Sequence, residues 1–396
     1  MDEKKTKILY LLPGGLSNPA GMERVTTSKA NYLAELPDYD VSIVTTEQMG
    51  RPVFYPLSEK IHLYHLDIGI HENFGKESYI QKCVSRFQKT NEYERELNKV
   101  LNKVRPDITV STLGLDIGFL NNLKDGSIKI GELHFPGNFR QLMARKLSGN
   151  PIPNFVARVR TYEMRQKCKK LSRLIVLTEE EKTFWKNQKN IRVIPNPLPF
   201  SPEAISSTIN KKIIAVGRLA YEKGFDLLIE AWKTVYAKHP DWELVIYGNG
   251  DQKDALIHLI RKFQLEPVVK IHEPVSEIQT IYPEYSFLAF SSRYLDSFGM
   301  VIIEGMSCGL PAVAFNSPCG PKDLITDGMN GFLVETGDIV NLAAKINQLI
   351  ESDELRKRMS FAAQATSSNY QIDKVMKQWI SLFEELKNEN NRSIRD

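Results

Sequence analysis

Residues 213–224 read I-I-A-V-G-R-L-A-Y-E-K-G, a short β-branched run that stops at Gly217. Past a second glycine, Gly224, a helical pattern runs from Phe225 to Lys238. A strand that ends in glycine and opens into a helix is the layout by which parallel α/β proteins hold phosphates, because the helix N-terminus presents unpaired N–H groups. Between its glycines this loop carries Arg218 and Lys223, and it lacks the G-x-x-x-x-G-K-S/T pattern. It predicts a cationic cradle rather than a nucleoside-triphosphatase loop. Taken singly, each cation is also what a solvated surface loop carries.

Residues 291–311, S-S-R-Y-L-D-S-F-G-M-V-I-I-E-G-M-S-C-G-L-P, place Asp296 and Glu304 eight residues apart around a turn that opens an apolar helix. Asp296 and Ser297 are expected to cap the helix start, and Phe298-Gly299-Met300 then offers backbone N–H groups to a ligand. Such an end attracts phosphate or sugar oxygens. Glu304 lies about one turn further in, where a carboxylate can accept two hydroxyl hydrogen bonds from a ribose. The same spacing suits a capped core helix with one buried acid; the cationic loop upstream favours the ligand-binding reading.

Outward from these two segments, short apolar runs alternate with helical patterns along the whole chain. The runs lie near 7–12, 40–45, 61–66, 107–112, 128–133, 173–177 and 191–194, with helices among them at 22–36 and 77–104. They resume near 213–216, 242–247, 268–272, 287–291 and 311–315. This order predicts parallel sheets in an α/β chain. Pro195, Pro197, Pro199 and Pro202 punctuate the polar stretch between the halves, and proline continues neither a ladder nor a helix interior. The expected division is a first domain over 1–197, a linker over 198–210, a second domain over 211–370 and a terminal helix over 371–396. That helix carries Val375, Trp379, Phe383 and Leu386 at helical spacing.

A length of 396 residues, 42% of them hydrophobic, suits two ordinary cores. The net charge of +4 is too mild to point to nucleic acid. Cys83, Cys168, Cys308 and Cys319 have neither ligand spacing nor the density of a disulfide framework, which favours a reducing, cytoplasmic setting. The apolar run Ile8 to Leu12 is too short for a signal-peptide core or a membrane span and reads as the first strand.

Further motifs occur in a fixed order: A-G-M-E-R-V at 20–25, G-E-L-H at 131–134, L-I-V-L-T-E-E at 174–180 and V-I-P-N-P at 193–197. They continue with G-R-L-x-x-x-K-G from Gly217, Y-G-N-G at 247–250, the Asp296/Glu304 pair and D-G-M-N-G-F-L-V at 327–334. In this order and spacing the chain resembles, nearly end to end, the retaining nucleotide-sugar glycosyltransferases of the GT-B fold, glycosyltransferase family 4. S-P-C-G-P-K-D at 317–323 looks like the C-P-T-G-P variant common in capsule and surface-polysaccharide enzymes.

The resemblance implies two Rossmann-like domains with parallel sheets facing a central cleft, the last helix crossing back to the first domain. It implies sugar transfer from a nucleotide-diphosphate sugar, UDP-linked by expectation, to a glycan or lipid-linked acceptor with retention of configuration. In the front-face account of that reaction the departing phosphate deprotonates the acceptor, so the protein chiefly positions and stabilises charge. Arg218 and Lys223 would clamp the diphosphate, Glu304 would hold the ribose, and the amides of Phe298, Gly299 and Met300 would receive phosphate and sugar oxygens. Asp296 would orient the sugar, although members of the family usually carry Glu there. Gly21, immediately before a helix, would face the diphosphate. His134, at a strand end before Pro136-Gly137, would contact the donor sugar or hold a neighbouring carbonyl, with Glu132 as a structural partner.

No cofactor or metal is expected, the two cations supplying the charge. Asp38-Tyr39-Asp40 spells the D-x-D signature of a different transferase fold, but between a helix and a strand it reads as a polar turn. Gly14 and Gly15 read as turn formers. Between Arg140 and Arg173, ten basic residues face one acid, Glu163, with Phe155, Val156, Val159 and Tyr162 among them. This segment, 140–173, is expected either to be a basic amphipathic helix docking on an anionic membrane surface or to pack its apolar stripe on the core. Two rivals share the fold reading: a nucleotide-sugar epimerase or phosphorylase, and a non-catalytic nucleotide-sugar-binding partner of an active transferase.

Overall fold

The computed structural model describes residues 5–69, 79–147, 151–186, 188–294 and 296–393. Residues 77 and 78 of the second expected helix, the side chains of Cys83, Arg145 and Lys146, and residues 394–396 of the terminal segment lie outside the described ones.

Seven strands form the first sheet: β1 (Thr6–Leu12), β2 (Tyr39–Thr45), β3 (His62–His65), β4 (Ile108–Ser111), β5 (Ile128–Glu132), β6 (Arg173–Val176) and β7 (Ile191–Val193). Six form the second: β8 (Lys212–Val216), β9 (Glu243–Tyr247), β10 (Val269–His272), β11 (Phe287–Phe290), β12 (Ala312–Phe315) and β13 (Gly331–Val334). The orders are β3-β2-β1-β4-β5-β6-β7 and β10-β9-β8-β11-β12-β13, and the paired strands are parallel. The inner strands are buried on both faces and read as continuous apolar runs; the edge strands β3, β7 and β10 are partly exposed, and with them twelve of the thirteen were expected from the sequence. The short G-F-L-V run of β13 was quoted above only as part of a motif.

The helices are α1 (Gly21–Glu35), α2 (Tyr79–Val104), α3 (Phe139–Leu147), α4 (Pro151–Cys168), α5 (Glu179–Phe184), α6 (Phe225–Lys238), α7 (Lys253–Lys262), α8 (Met300–Ser307), α9 (Pro321–Leu324), α10 (Ile339–Ile350), α11 (Asp353–Ser367) and α12 (Ile372–Ser393). The chain divides into two compact units, Met1–Leu177 with Lys182–Pro199 and Val375–Asp396, and Thr178–Glu181 with Phe200–Lys374.

In the first unit, Leu9, Leu11, Tyr93, Leu97, Leu174 and Trp185 belong to the core between sheet and helices. The stripe of α12, Val375, Trp379, Phe383 and Leu386, is buried. Arg173 of β6 and Arg192 of the edge strand β7 bind Glu385 on its outer face, both at 2.7 Å. In the second unit α6 and α10 cover the sheet through Leu228, Trp232, Leu342 and Ile346. Residues 206–208 pack on that unit: the Ser206 N–H donates to the Cys308 carbonyl at 2.8 Å, and the buried Arg356 donates Nε–H to the Thr208 carbonyl at 2.8 Å.

Two local expectations are corrected. The basic stretch 140–173 is not one helix: α3 ends at Leu147, α4 starts at Pro151, and Arg173 opens β6. Asp38-Tyr39-Asp40 is only partly a turn, since Tyr39 and Asp40 start β2 and pair with Thr6 and Lys7.

Candidate functional site

Each sheet reverses its strand order once, with β1 between β2 and β4 and β8 between β9 and β11. In open parallel sheets ligands bind beyond the C-terminal strand ends at such a reversal.

In the second unit three loops meet there, and glycines let them. A Cβ on Gly248 would lie 2.0 Å from the Gly217 carbonyl oxygen, and one on Gly224 would lie 2.1 Å from that of Ser291. Gly224 also takes a left-handed φ of +65°, which lets the chain turn from a single 3₁₀ turn (Tyr221–Lys223) into α6. The loop after β8 is thereby fixed against the loop after β11. The Ser291 hydroxyl donates to the Lys223 carbonyl at 2.9 Å.

Lys223 Nζ donates to both Asp296 oxygens, at 2.9 and 2.8 Å. The cation and the acid expected in one site are therefore directly paired. Arg218 is 69% exposed and pairs with Glu222, four residues on. Asp296 does not cap the following helix, nor does Ser297: the N-cap of α8 is Gly299, at φ +85°, and no side chain caps that end. This corrects the expected cap. Lysine competes for the carboxylate, and a left-handed glycine starts the helix without one. Phe298 is buried with its ring against Tyr370, and Gly320 approaches its backbone so closely that a Cβ would sit 2.7 Å from the Phe298 carbonyl group. The N-terminal amides of α8 are held by packing, preorganised rather than adaptable.

Glu304 lies in the second turn of α8 and is 4% exposed; its Oε2 accepts from the Tyr282 hydroxyl at 3.2 Å.

Two residues of this constellation were missed. Arg293 grips Asp226 with two hydrogen bonds, at 2.7 and 2.6 Å, donates to the Tyr221 carbonyl at 2.8 Å and lies 4.3 Å from the Tyr221 ring centroid. Burial works against its charge, but the Asp226 pairing prevails and raises its pKa. It braces the cationic loop from below. The only sequence signal was an arginine just after a strand end, and its partner lies 67 residues away. Tyr282 had no signal of its own.

The first unit holds the remaining candidates. Gly21 is the exposed first residue of α1, whose start no side chain caps. Gly14, at φ +94°, turns the chain after β1, its carbonyl accepting the Thr46 and Glu47 N–H groups at 2.9 Å each. His134 follows the end of β5 with its side chain 5% exposed, and its Nε2 lies 3.2 Å from Glu132 Oε1. Lys29 of α1 donates to both oxygens of Glu132. Asp40 lies 3.5 Å from His62 at the start of β2, the opposite edge of the sheet from His134.

The exposed face of α4 also differs from one of its expected alternatives. Ala157, Thr161, Met164 and Cys168 face the core, whereas Phe155 (69% exposed), Val159 (41%) and Tyr162 (63%) point to solvent beside Arg158 and Arg160. The apolar stripe is not the packed one. No helix of the described residues is long and apolar enough to cross a membrane.

Residues 202–366 match the family model described as Glycosyl transferases group 1. The chain is 29% identical over 371 residues to an uncharacterized glycosyltransferase of Haemophilus influenzae, covering 92% of this chain and 96% of that protein. It is 29% identical over 382 residues to the amylovoran biosynthesis glycosyltransferase AmsD of Erwinia amylovora, covering 94% and 98%. Among solved structures it is similar to S. aureus TarM, as a mutant in complex with fondaparinux, alpha-GlcNAc-glycerol and UDP. That likeness has a TM-score of 0.75 at 18% identity and covers 96% of this chain and 99% of that one. Residues 202–366, within the second unit, are thus similar to the group 1 glycosyltransferases, and the two units are those of the GT-B fold.

Proposed function

We propose that this chain transfers a sugar from a nucleotide-diphosphate sugar, UDP-linked by preference, to a glycan or lipid-linked acceptor, with retention of anomeric configuration, in cell-surface polysaccharide synthesis. The observation that carries the reading is the Lys223–Asp296 pair, set in a glycine-framed loop beside the uncapped start of α8 at the strand-order reversal of the second sheet. A diphosphate arriving there meets Lys223, Arg218 and the amides of Phe298, Gly299 and Met300. It displaces Asp296 from the ammonium and frees that carboxylate to orient the sugar and face positive charge developing at the anomeric carbon. Glu304, backed by Tyr282, holds the ribose.

The UDP bound to TarM and the polysaccharide named for AmsD support the donor and acceptor classes. A peripheral station on the cytoplasmic face of an anionic membrane belongs to the same reading, supported by the exposed Phe155, Val159 and Tyr162 beside Arg158 and Arg160. That placement brings the enzyme to lipid-linked acceptors.

The decisive experiment incubates the protein with UDP-sugars, with and without lipid-linked acceptors, and follows UDP release and the product's anomeric configuration. UDP released only with acceptor, and an α-product from an α-donor, is the expected result. Interconversion of donor sugars without acceptor would replace transfer by epimerisation, and binding without turnover would leave a non-catalytic partner.

A further inference from the structure

The loops after β1 and β2 share one surface of the first unit and present groups that the proposed donor site leaves unused. The Gly14 N–H donates to the Thr46 hydroxyl and the Leu16 N–H to Gln48 Oε1, both at 2.8 Å. The Phe54 N–H donates to the Leu16 carbonyl, also at 2.8 Å. Asn31 of α1 fastens the residues that follow, donating to the Pro56 carbonyl at 3.0 Å and accepting the Ser58 N–H at 2.9 Å. Residues 54–58 therefore lie against α1, and the Arg24 guanidinium sits 5.5 Å from the Tyr55 ring centroid. The rings of Phe54 and Tyr55 meet edge to face at 4.9 Å. Phe54 is held by its backbone and by its neighbour's ring, yet it is 37% exposed.

The first turn of α1 adds a carboxyl to this surface. Glu23 is 7% exposed, and its Oε2 has no hydrogen-bond partner among the described residues. Helical side chains lean towards the N-terminus, here the end that follows the loop after β1. Burial pushes this carboxyl up to about 7 against the pull of its own N–H, so near neutrality it serves both as acceptor and as donor. The hydroxyl of Ser17, in the loop after β1, is likewise buried without a partner among the described residues. An unpaired buried polar group costs stability, and a ligand site is where a fold tolerates that cost. A fixed aromatic face beside groups that donate and accept matches a sugar, whose ring has an apolar C–H face and hydroxyls of both capacities. An acidic ligand would meet the Glu23 carboxylate. An ammonium would meet the uncapped start of α1, whose N–H groups carry partial positive charge. An uncharged sugar meets neither conflict.

We propose that Phe54, Glu23 and Ser17 form a subsite for an uncharged sugar residue of the acceptor, its ring face on Phe54 and its hydroxyls on Glu23 and Ser17. Assigning this sugar to an acceptor rests on the transferase reading above; the binding of the sugar does not.

The test applies saturation-transfer NMR at pH 8 to the full-length protein. The probes are the methyl glycosides of glucose, galactose, N-acetylglucosamine and N-acetylgalactosamine, with methyl glucuronide as the acidic control. At least one neutral probe should take up saturation, most strongly at its ring protons, and the glucuronide at most a fifth as much. Phe54→Ser should lower the signal tenfold or more at an unchanged melting temperature. Glu23→Met, similar in volume but without the oxygens, should melt no lower than the parent and lose fivefold or more. Glu23→Gln, which still donates and accepts, should keep at least half of the signal. No neutral probe bound, a glucuronide bound as well as the neutral sugars, or a signal that survives both Phe54→Ser and Glu23→Met would overturn the subsite, whatever the transfer assay gives. Neutral-probe binding that these variants abolish, in a protein that releases no UDP with any acceptor, would uphold the subsite and remove the transferase reading instead.

Discussion

Lys223 and Asp296 hold each other at 2.8 and 2.9 Å before any substrate arrives, so each governs the other's availability. A hydrogen bond to a charged group is worth about 1.5–3 kcal/mol, and a diphosphate must better it to claim the lysine. Lys223→Ala should therefore weaken nucleoside-diphosphate binding tenfold or more, as measured by calorimetry. Asp296→Asn should tighten nucleotide binding, since the diphosphate no longer has to displace a carboxylate from Lys223, while cutting turnover strongly, because only an interaction strengthened in the transition state lowers the barrier. Asp296→Glu, which keeps the charge and lengthens the side chain by a methylene, should retain substantial turnover. Parent-like turnover by Asp296→Asn would reduce Asp296 to a brace for Lys223. A second carboxyl matters to stability. Glu23, in the first turn of α1, is buried with Oε2 unpartnered, and burial raises its pKa from 4.5 to about 7. The folded state thus binds this proton more tightly than the unfolded chain. Its penalty is absent below pH 4.5, grows as pH rises to 7 and is complete above, reaching about 3 kcal/mol at about 1.4 kcal/mol per unit. Glu23→Gln should melt like the parent at pH 4 and distinctly higher at pH 8; identical melting curves for the two proteins at both pH values would contradict it. Neither this proton nor the Arg293 brace was legible in the sequence, because each depends on what tertiary packing places around one ordinary residue.

At the scale of elements, α4 presents two opposite faces. Its inward face is narrow and built of Ala157, Thr161, Met164 and Cys168, while Phe155, Val159 and Tyr162 project outward. Arg140 of α3 is lowered in pKa first by burial and then by Arg86 and Arg160, so three guanidinium groups gather here. Exposed aromatic residues beside clustered cations suit the boundary of an anionic bilayer, where each cation adds about 1 kcal/mol. Sedimentation with vesicles should show binding that rises with anionic lipid content and weakens with salt. Phe155→Ser with Tyr162→Ser should reduce it at every salt concentration, and neutralising Lys167, Lys169 and Lys170 should flatten its salt dependence. Equal binding to neutral and anionic vesicles, or none to either, would return α4 to an ordinary solvated helix. Composition revealed the charge of this segment. The outward aim of the stripe was hidden, because a helix with two candidate faces does not disclose which one the core selects. The stripe of α12 was legible since Val375, Trp379, Phe383 and Leu386 form its one large apolar face.

Across the whole molecule, two parallel sheets reverse their strand order once each, and the proposed donor site lies at the C-terminal strand ends of the second. This was readable because buried parallel strands give continuous apolar runs and because glycines mark where loops must approach closely. The same frame bears on the source of positive charge for the leaving diphosphate. Lys223 and Arg218 lie in the loop after β8, and the uncapped amides of α8 follow β11, the strand beside β8. The D-x-D sequence at Asp38-Tyr39-Asp40 begins β2 instead, at the N-terminal edge of the other sheet, where Asp40 faces His62 at 3.5 Å. Side chains and amides thus converge on the proposed phosphate position, while the one sequence that imitates a metal motif sits at the wrong end of its strand. Transfer should accordingly survive exhaustive chelation, and magnesium or manganese added back should change the rate less than twofold. Arg218→Ala should then lower turnover without making it metal-dependent, since no carboxylate pair stands in that loop to accept an ion in place of the guanidinium. Complete loss of activity on chelation, with full rescue by one divalent ion, would overturn the assignment of Lys223 and Arg218 as the neutralising charges and return Asp38 and Asp40 to consideration.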